Sequence, residues 1–141
     1  MITEDYVSFE TAKLLKERGF NDRCRAFWKV WNGNTTLIEC NSAQAFDSCY
    51  NSTLEKYNDE GELNIAASTL QMAMKWLREV HNLCLEPYRT ACGYLCDVAR
   101  VPTGSEIYGQ EYEGDDEDSG QFTTYEKSCE AAIKYCLENL I

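Results

Sequence analysis

His81 is the chain's one histidine, and with Cys84, Cys92 and Cys96 it forms His-x2-Cys-x7-Cys-x3-Cys. One nitrogen and three sulfurs is a donor set that zinc accepts in a tetrahedron. The spacing argues against it. No Cys-x2-Cys pair occurs, and on a strand Cys92 and Cys96 would lie about 13 Å apart at about 3.3 Å per residue. One ion could hold both only across a bend, for example at Gly93. The simpler reading is core cysteines plus a histidine at a helix C-terminus, where the dipole favours a positive ring.

The remaining cysteines read in the same way. Cys129 and Cys136 share one face of a C-terminal helix, with Cα atoms about 10 Å apart at 1.5 Å per residue, too far for a mutual disulfide. A cysteine nucleophile needs a base beside it, and the single histidine leaves one Cys–His arrangement that nothing in the sequence positions. The start, MITEDYVSFE, is acidic and polar rather than basic and apolar. It lacks the pattern of a secretory signal, so the expected setting is a reducing cytoplasm and the eight cysteines are expected as free thiols. The sequons at Asn34 and Asn51 carry little weight for the same reason. No glycine-rich phosphate loop, Walker pattern, serine elbow or paired-carboxylate motif is present, so no cofactor and no catalytic residue is named.

Two features suggest a contact with another protein. Asp115, Asp116, Glu117 and Asp118 form an acidic run, read first as a solvated, mobile loop over 111–120 and second as a contact for a basic partner steered by charge. Trp31 stands beside a predicted turn and is the tryptophan expected to be exposed. Trp28 and Trp76 are expected in the core.

Charge narrows the partners. The formal net charge is −11. Between Val101 and Glu126 there are eight acids and no lysine or arginine, which leaves sixteen acids against thirteen bases elsewhere. A chain of this balance is not expected to grip a phosphate backbone directly. No run approaches the ~18 apolar residues of a membrane span.

The elements that would position these residues follow from periodicity and caps. Ser8 caps a first helix to about Arg18, and Gly19-Phe20 ends it, with Phe20 folding back on Leu15. Cys24–Trp31 alternates as a strand. Asn32-Gly33 is the favoured two-residue hairpin turn, and Thr35–Cys40 returns with Trp28 opposite Leu37 and Phe27 opposite Ile38. Residues 41–67 read as a polar, irregular excursion. Ser68 and Gln71 form a capping-box pattern for a helix to Val80, whose stripe is Leu70, Ala73, Met74, Leu77 and Val80, with Asn82 as a left-handed cap. Cys84–Tyr88, Ala91–Val101 and Glu106–Tyr112 form a three-stranded meander. Thr123 opens a last helix with stripe Tyr125, Cys129, Ala132, Ile133, Cys136, Leu137 and Leu140. The expected architecture is one α+β domain over 1–141, a mostly antiparallel sheet with about three helices packed on it.

Three stretches carry a resemblance: EDYVSFETAKLLKERGF at Glu4–Phe20, TLQMAMKWLREVHNL at Thr69–Leu83, and TYEKSCEAAIKYCLENLI at Thr124–Ile141. They resemble small uncharacterised proteins encoded in gut-bacterial genomes, prophages and mobile elements. What the resemblance implies is a phage or mobile-element accessory protein, with no catalytic residues to carry over. The expectation is therefore a non-enzymatic cytoplasmic protein that binds another, unknown protein. The alternatives are a small-ligand binder or enzyme with a pocket between sheet and helices, and a cysteine or metal module on His81, Cys84, Cys92 and Cys96.

Overall fold

The structure, a computed structural model, describes residues 1–40, 56–57, 63–107 and 113–141. The element order is α1 (Phe9–Glu17), β1 (Ala26–Trp31), β2 (Asn34–Glu39), β3 (Lys56–Tyr57), β4 (Leu63–Ala67), α2 (Leu70–His81), β5 (Leu83–Arg89), β6 (Tyr94–Arg100) and α3 (Tyr125–Asn139). This is an α+β fold, and every strand pairing in it is antiparallel. The strands form two sheets, β2-β1-β4-β3 and β5-β6. The chain divides into two compact units, Met1–Thr69 and Leu70–Ile141.

In the first unit, α1 begins as its residues dictate. The Ser8 hydroxyl accepts the Thr11 amide at 3.2 Å. The helix ends with Gly19 at φ 97° and the Phe20 amide bonded to the Leu15 carbonyl at 2.9 Å, the closure a left-handed glycine permits. The β1–β2 hairpin has the expected register, Trp28 opposite Leu37 and Phe27 opposite Ile38. Its turn residues Asn32 and Gly33 both have positive φ, 50° and 76°. The β1 neighbour that the sequence pattern left unread is β4. Leu63, Ile65 and Ala67 are buried and alternate with half-buried Asn64 and Ala66. Within 41–67 a strand therefore stands where a polar excursion was expected, and its buried face is aliphatic. Residues 41–55 and 58–62, including the second sequon, lie outside the described residues. Trp28 joins sheet and helix: its indole N–H donates to the Val7 carbonyl at 3.0 Å, and its ring meets Phe9 edge-on at 6.4 Å.

In the second unit, α3 packs on β5 and β6, and α2 packs on β5 and α3. Helix α2 departs from expectation at both ends. It starts at Leu70, after Thr69 bridges Tyr6, so the Ser68–Gln71 capping box does not form. The Ser68 hydroxyl is buried without a hydrogen-bond partner, and its carbonyl instead accepts the Val7 amide at 3.0 Å. At the other end Val80, expected on the apolar stripe, is 57% exposed, while Trp76 is buried as expected. Helix α3 is capped by Thr124, whose hydroxyl accepts the Lys127 amide, one residue later than expected. Strand β6 also starts later, at Tyr94 rather than Ala91, because Thr90 to Gly93 make the turn. Of the expected third meander strand, Glu106–Tyr112, the described part pairs with β6, Glu106 bridging Ala99 and the Ile107 amide donating to the Val98 carbonyl at 2.8 Å; residues 108–112 lie outside the described residues.

Gly93 is not a bulge. Tyr94 and Phe122 exchange both backbone hydrogen bonds, at 2.9 and 3.0 Å, and a Cβ on Gly93 would lie 2.5 Å from the Phe122 carbonyl oxygen. The alanine variant Gly93→Ala must push that backbone away. It is expected to destabilise the protein by about 1–3 kcal/mol, the usual cost of overpacking, read as a lower denaturant midpoint, with faster exchange of the Tyr94 and Phe122 amides.

Candidate functional site

The sulfur and imidazole candidates occupy four different settings. His81 ends α2 half-buried, its ring edge-on to Trp76 at 4.6 Å, with a buried Nε2 that has no hydrogen-bond partner. Cys84 is half-buried on β5, Cys92 is exposed in the turn before β6, and Cys96 is fully buried on β6. The strand spacing considered for Cys92 and Cys96 therefore does not apply, since Cys92 is in the turn. Among the described residues no group of three or more histidine, cysteine or acidic side chains is arranged to hold a metal ion.

Burial also sets the thiol chemistry. Cys24, Cys96, Cys129 and Cys136 are free and buried. Burial pushes the Cys24 and Cys136 thiols up to about 12 and Cys129 up to about 11. Cys96 is pushed up as well, by burial first and then by the neighbouring thiols of Cys129 and Cys136. Such groups carry almost no thiolate at neutral pH and are poor nucleophiles. Cys40 is different: it is disulfide-bonded, which corrects the expectation that every cysteine is a free thiol.

The described part of the acidic segment is tied by hydrogen bonds. From Glu113 to Gln121 the backbone closes on itself: Gly114 N–H donates to Gly120 at 2.9 Å, Asp116 N–H to Gln121 at 3.0 Å, and Gly120 N–H to Asp116 at 2.8 Å. Any Cβ on Gly114 would overlap the Gln121 backbone. Asp116 braces the turn from inside, accepting from the Asp118 amide and the Ser119 hydroxyl at 3.0 Å each. Asp115 reaches the start of α3, accepting from the Thr123 amide at 2.9 Å, the Thr123 hydroxyl at 2.6 Å and the Lys127 ammonium at 3.0 Å. These bonds, Thr123 first, hold its carboxyl well below the usual carboxylate range. Thr123, expected as the helix cap, is instead the group that Asp115 binds. Two of the four candidate acids, exposed Asp115 and half-buried Asp116, are thus engaged by neighbouring groups, and Glu117 and Asp118 are exposed.

The aromatic candidate behaves as expected. Trp31 is 49% exposed, at the end of β1 and opposite Asn34 across the turn. The last described pair between β1 and β4 is Val30 with Leu63, so Trp31 extends past it. Among the described residues no helix is long and apolar enough to cross a membrane.

No family model, curated protein or solved structure matches the chain.

The Asp115 contacts give a pH signature. A carboxyl whose folded pKa is depressed adds stability above its unfolded value of about 3.9, and that stability is lost as pH falls through the folded value. Asp115→Asn should therefore lower the denaturant midpoint at neutral pH. The gap from wild type should shrink below about pH 4 as the unfolded-state carboxyl begins to hold its proton, and close in stronger acid.

Proposed function

We propose that this chain is a non-enzymatic accessory protein that binds another protein, with Trp31 as its principal contact. The observation that carries the proposal is the half-exposed indole of Trp31 at the end of a strand paired on both edges. Tryptophan is among the residues that most often dominate protein interfaces, and this one is carried on a backbone paired with Asn34. The exposed carboxylates Glu117 and Asp118 are a second candidate contact, suited to a basic partner. Their field speeds and orients encounter more than it adds affinity. Burial of Cys24, Cys96, Cys129 and Cys136 disfavours these four thiols as nucleophiles.

The resemblance of the two ends and the middle of the chain extends the proposal to a phage or mobile-element protein acting in the cytoplasm of a bacterial or infected host cell.

Capture from host lysate tests the proposal, comparing wild type with Trp31→Ala and with the double variant Glu117→Gln, Asp118→Asn. The expected outcome is a partner held by wild type and lost by Trp31→Ala. The double variant should retain the partner with slower, less salt-sensitive association. Capture unchanged in both variants, or no captured protein at all, contradicts the assignment.

A further inference from the structure

The β1–β2 turn holds the chain's single Asn-Gly dipeptide, Asn32-Gly33. Both residues are exposed, and neither belongs to a ladder pair, since the hairpin closes on Trp31 and Asn34. We propose that Asn32 is a site of spontaneous deamidation, through which the hairpin tip acquires a charge and a longer backbone with time. The chemistry needs only water and base. The Gly33 amide nitrogen, once deprotonated, attacks the Asn32 side-chain carbonyl carbon. A Cγ–N bond forms, the Cγ–Nδ2 bond breaks, and ammonia leaves with the proton taken from Gly33. Water then opens the five-membered imide at either carbonyl, giving aspartate or isoaspartate. Glycine is the one following residue with no side chain to obstruct the attack.

The fold makes this position unlike the other described asparagines. Asn34 and Asn64 are held in strands and Asn139 in a helix, each followed by a bulkier residue than glycine. Asn21 and Asn82 precede Asp22 and Leu83. At Asn32 the left-handed φ of the turn must be left for attack to occur. Only the tip has to open, because the first ladder pair lies outside it. The isoaspartyl product inserts one extra backbone carbon into a turn of two residues. That length no longer matches the turn that sets the register, so the pair Trp31–Asn34 is the first to be lost.

The test is incubation of the full chain at mildly alkaline and at mildly acidic pH, followed by peptide mapping and an isoaspartyl methyl-acceptor assay. The expected result is conversion at Asn32 ahead of every other asparagine and faster in alkali. It should come with loss of amide protection at Trp31 and Asn34 in the aged fraction. The variant Asn32→Gly keeps a permitted two-residue turn and should lose the isoaspartyl signal. An intact Asn32 in the native chain, under conditions where the urea-unfolded chain converts there, overturns the proposal by showing that the turn protects it. Conversion led by another asparagine overturns it equally.

Discussion

Strand β1 has both edges paired. From Ala26 to Val30 each residue has a partner on β2 and another on β4, so the strand's pleat decides which side chains enter the core of the first unit. Ala26, Trp28 and Val30 face with Ile65 and Ala67 toward the side on which Val7 and Phe9 meet Trp28. Phe27, Lys29 and Trp31 take the other face. A one-residue slip would exchange the two sets. The Asn-Gly turn fixes the register on one edge, and the alternation Leu63, Ile65, Ala67 fixes it on the other. Trp31 is exposed at the end of this strand, past the last described pair with β4, and its backbone pairs with Asn34.

The second unit uses its charge to build structure. An acidic run in an acidic protein looks like a solvated arm. Here Asp116 closes a turn and Asp115 satisfies Thr123 beside the positive end of α3, where a carboxylate is favoured. The glycines at 114 and 93 serve the same assembly by letting the Gln121–Phe122 backbone come close. Four thiols of the chain, three of them in this unit, are packed away from water and from reaction. Among the described residues, Trp31 in the first unit and Glu117 and Asp118 in the second are the exposed members of the candidate set not engaged in these contacts.

Local rules were readable where neighbours a few residues apart decide the outcome. The Ser8 cap, the Gly19-Phe20 stop, the hairpin register and the Cys129–Leu137 stripe all stand as expected. Readings failed where a distant backbone competes. Ser68 looks like a cap until Val7 takes its carbonyl and Thr69 joins Tyr6. Thr123 looks like a cap until Asp115 claims its hydroxyl. Gly93 looks like a bulge until Phe122 arrives from almost thirty residues on. The strand Leu63–Ala67 did carry a period-2 signal, but it is five residues long and follows a polar stretch that drew the eye. Of the candidate site, the exposure of Trp31 was legible because a residue next to a two-residue turn has few neighbours. The engagement of Asp115 and Asp116 by neighbouring groups was not, since it depends on a turn whose closure is tertiary.

Strand β1 is an interior strand, paired with β2 on one edge and β4 on the other. Amide hydrogen exchange of residues Phe27 to Val30 tests this directly. In an isolated hairpin only alternate amides of a strand are bonded across the ladder, whereas a strand paired on both edges has all of them bonded. Slow exchange at Phe27, Trp28, Lys29 and Val30 alike is the predicted result. An alternating pattern, slow then fast along the strand, would mean that β4 does not pair with β1, and the strand that carries Trp31 would be an edge of the hairpin.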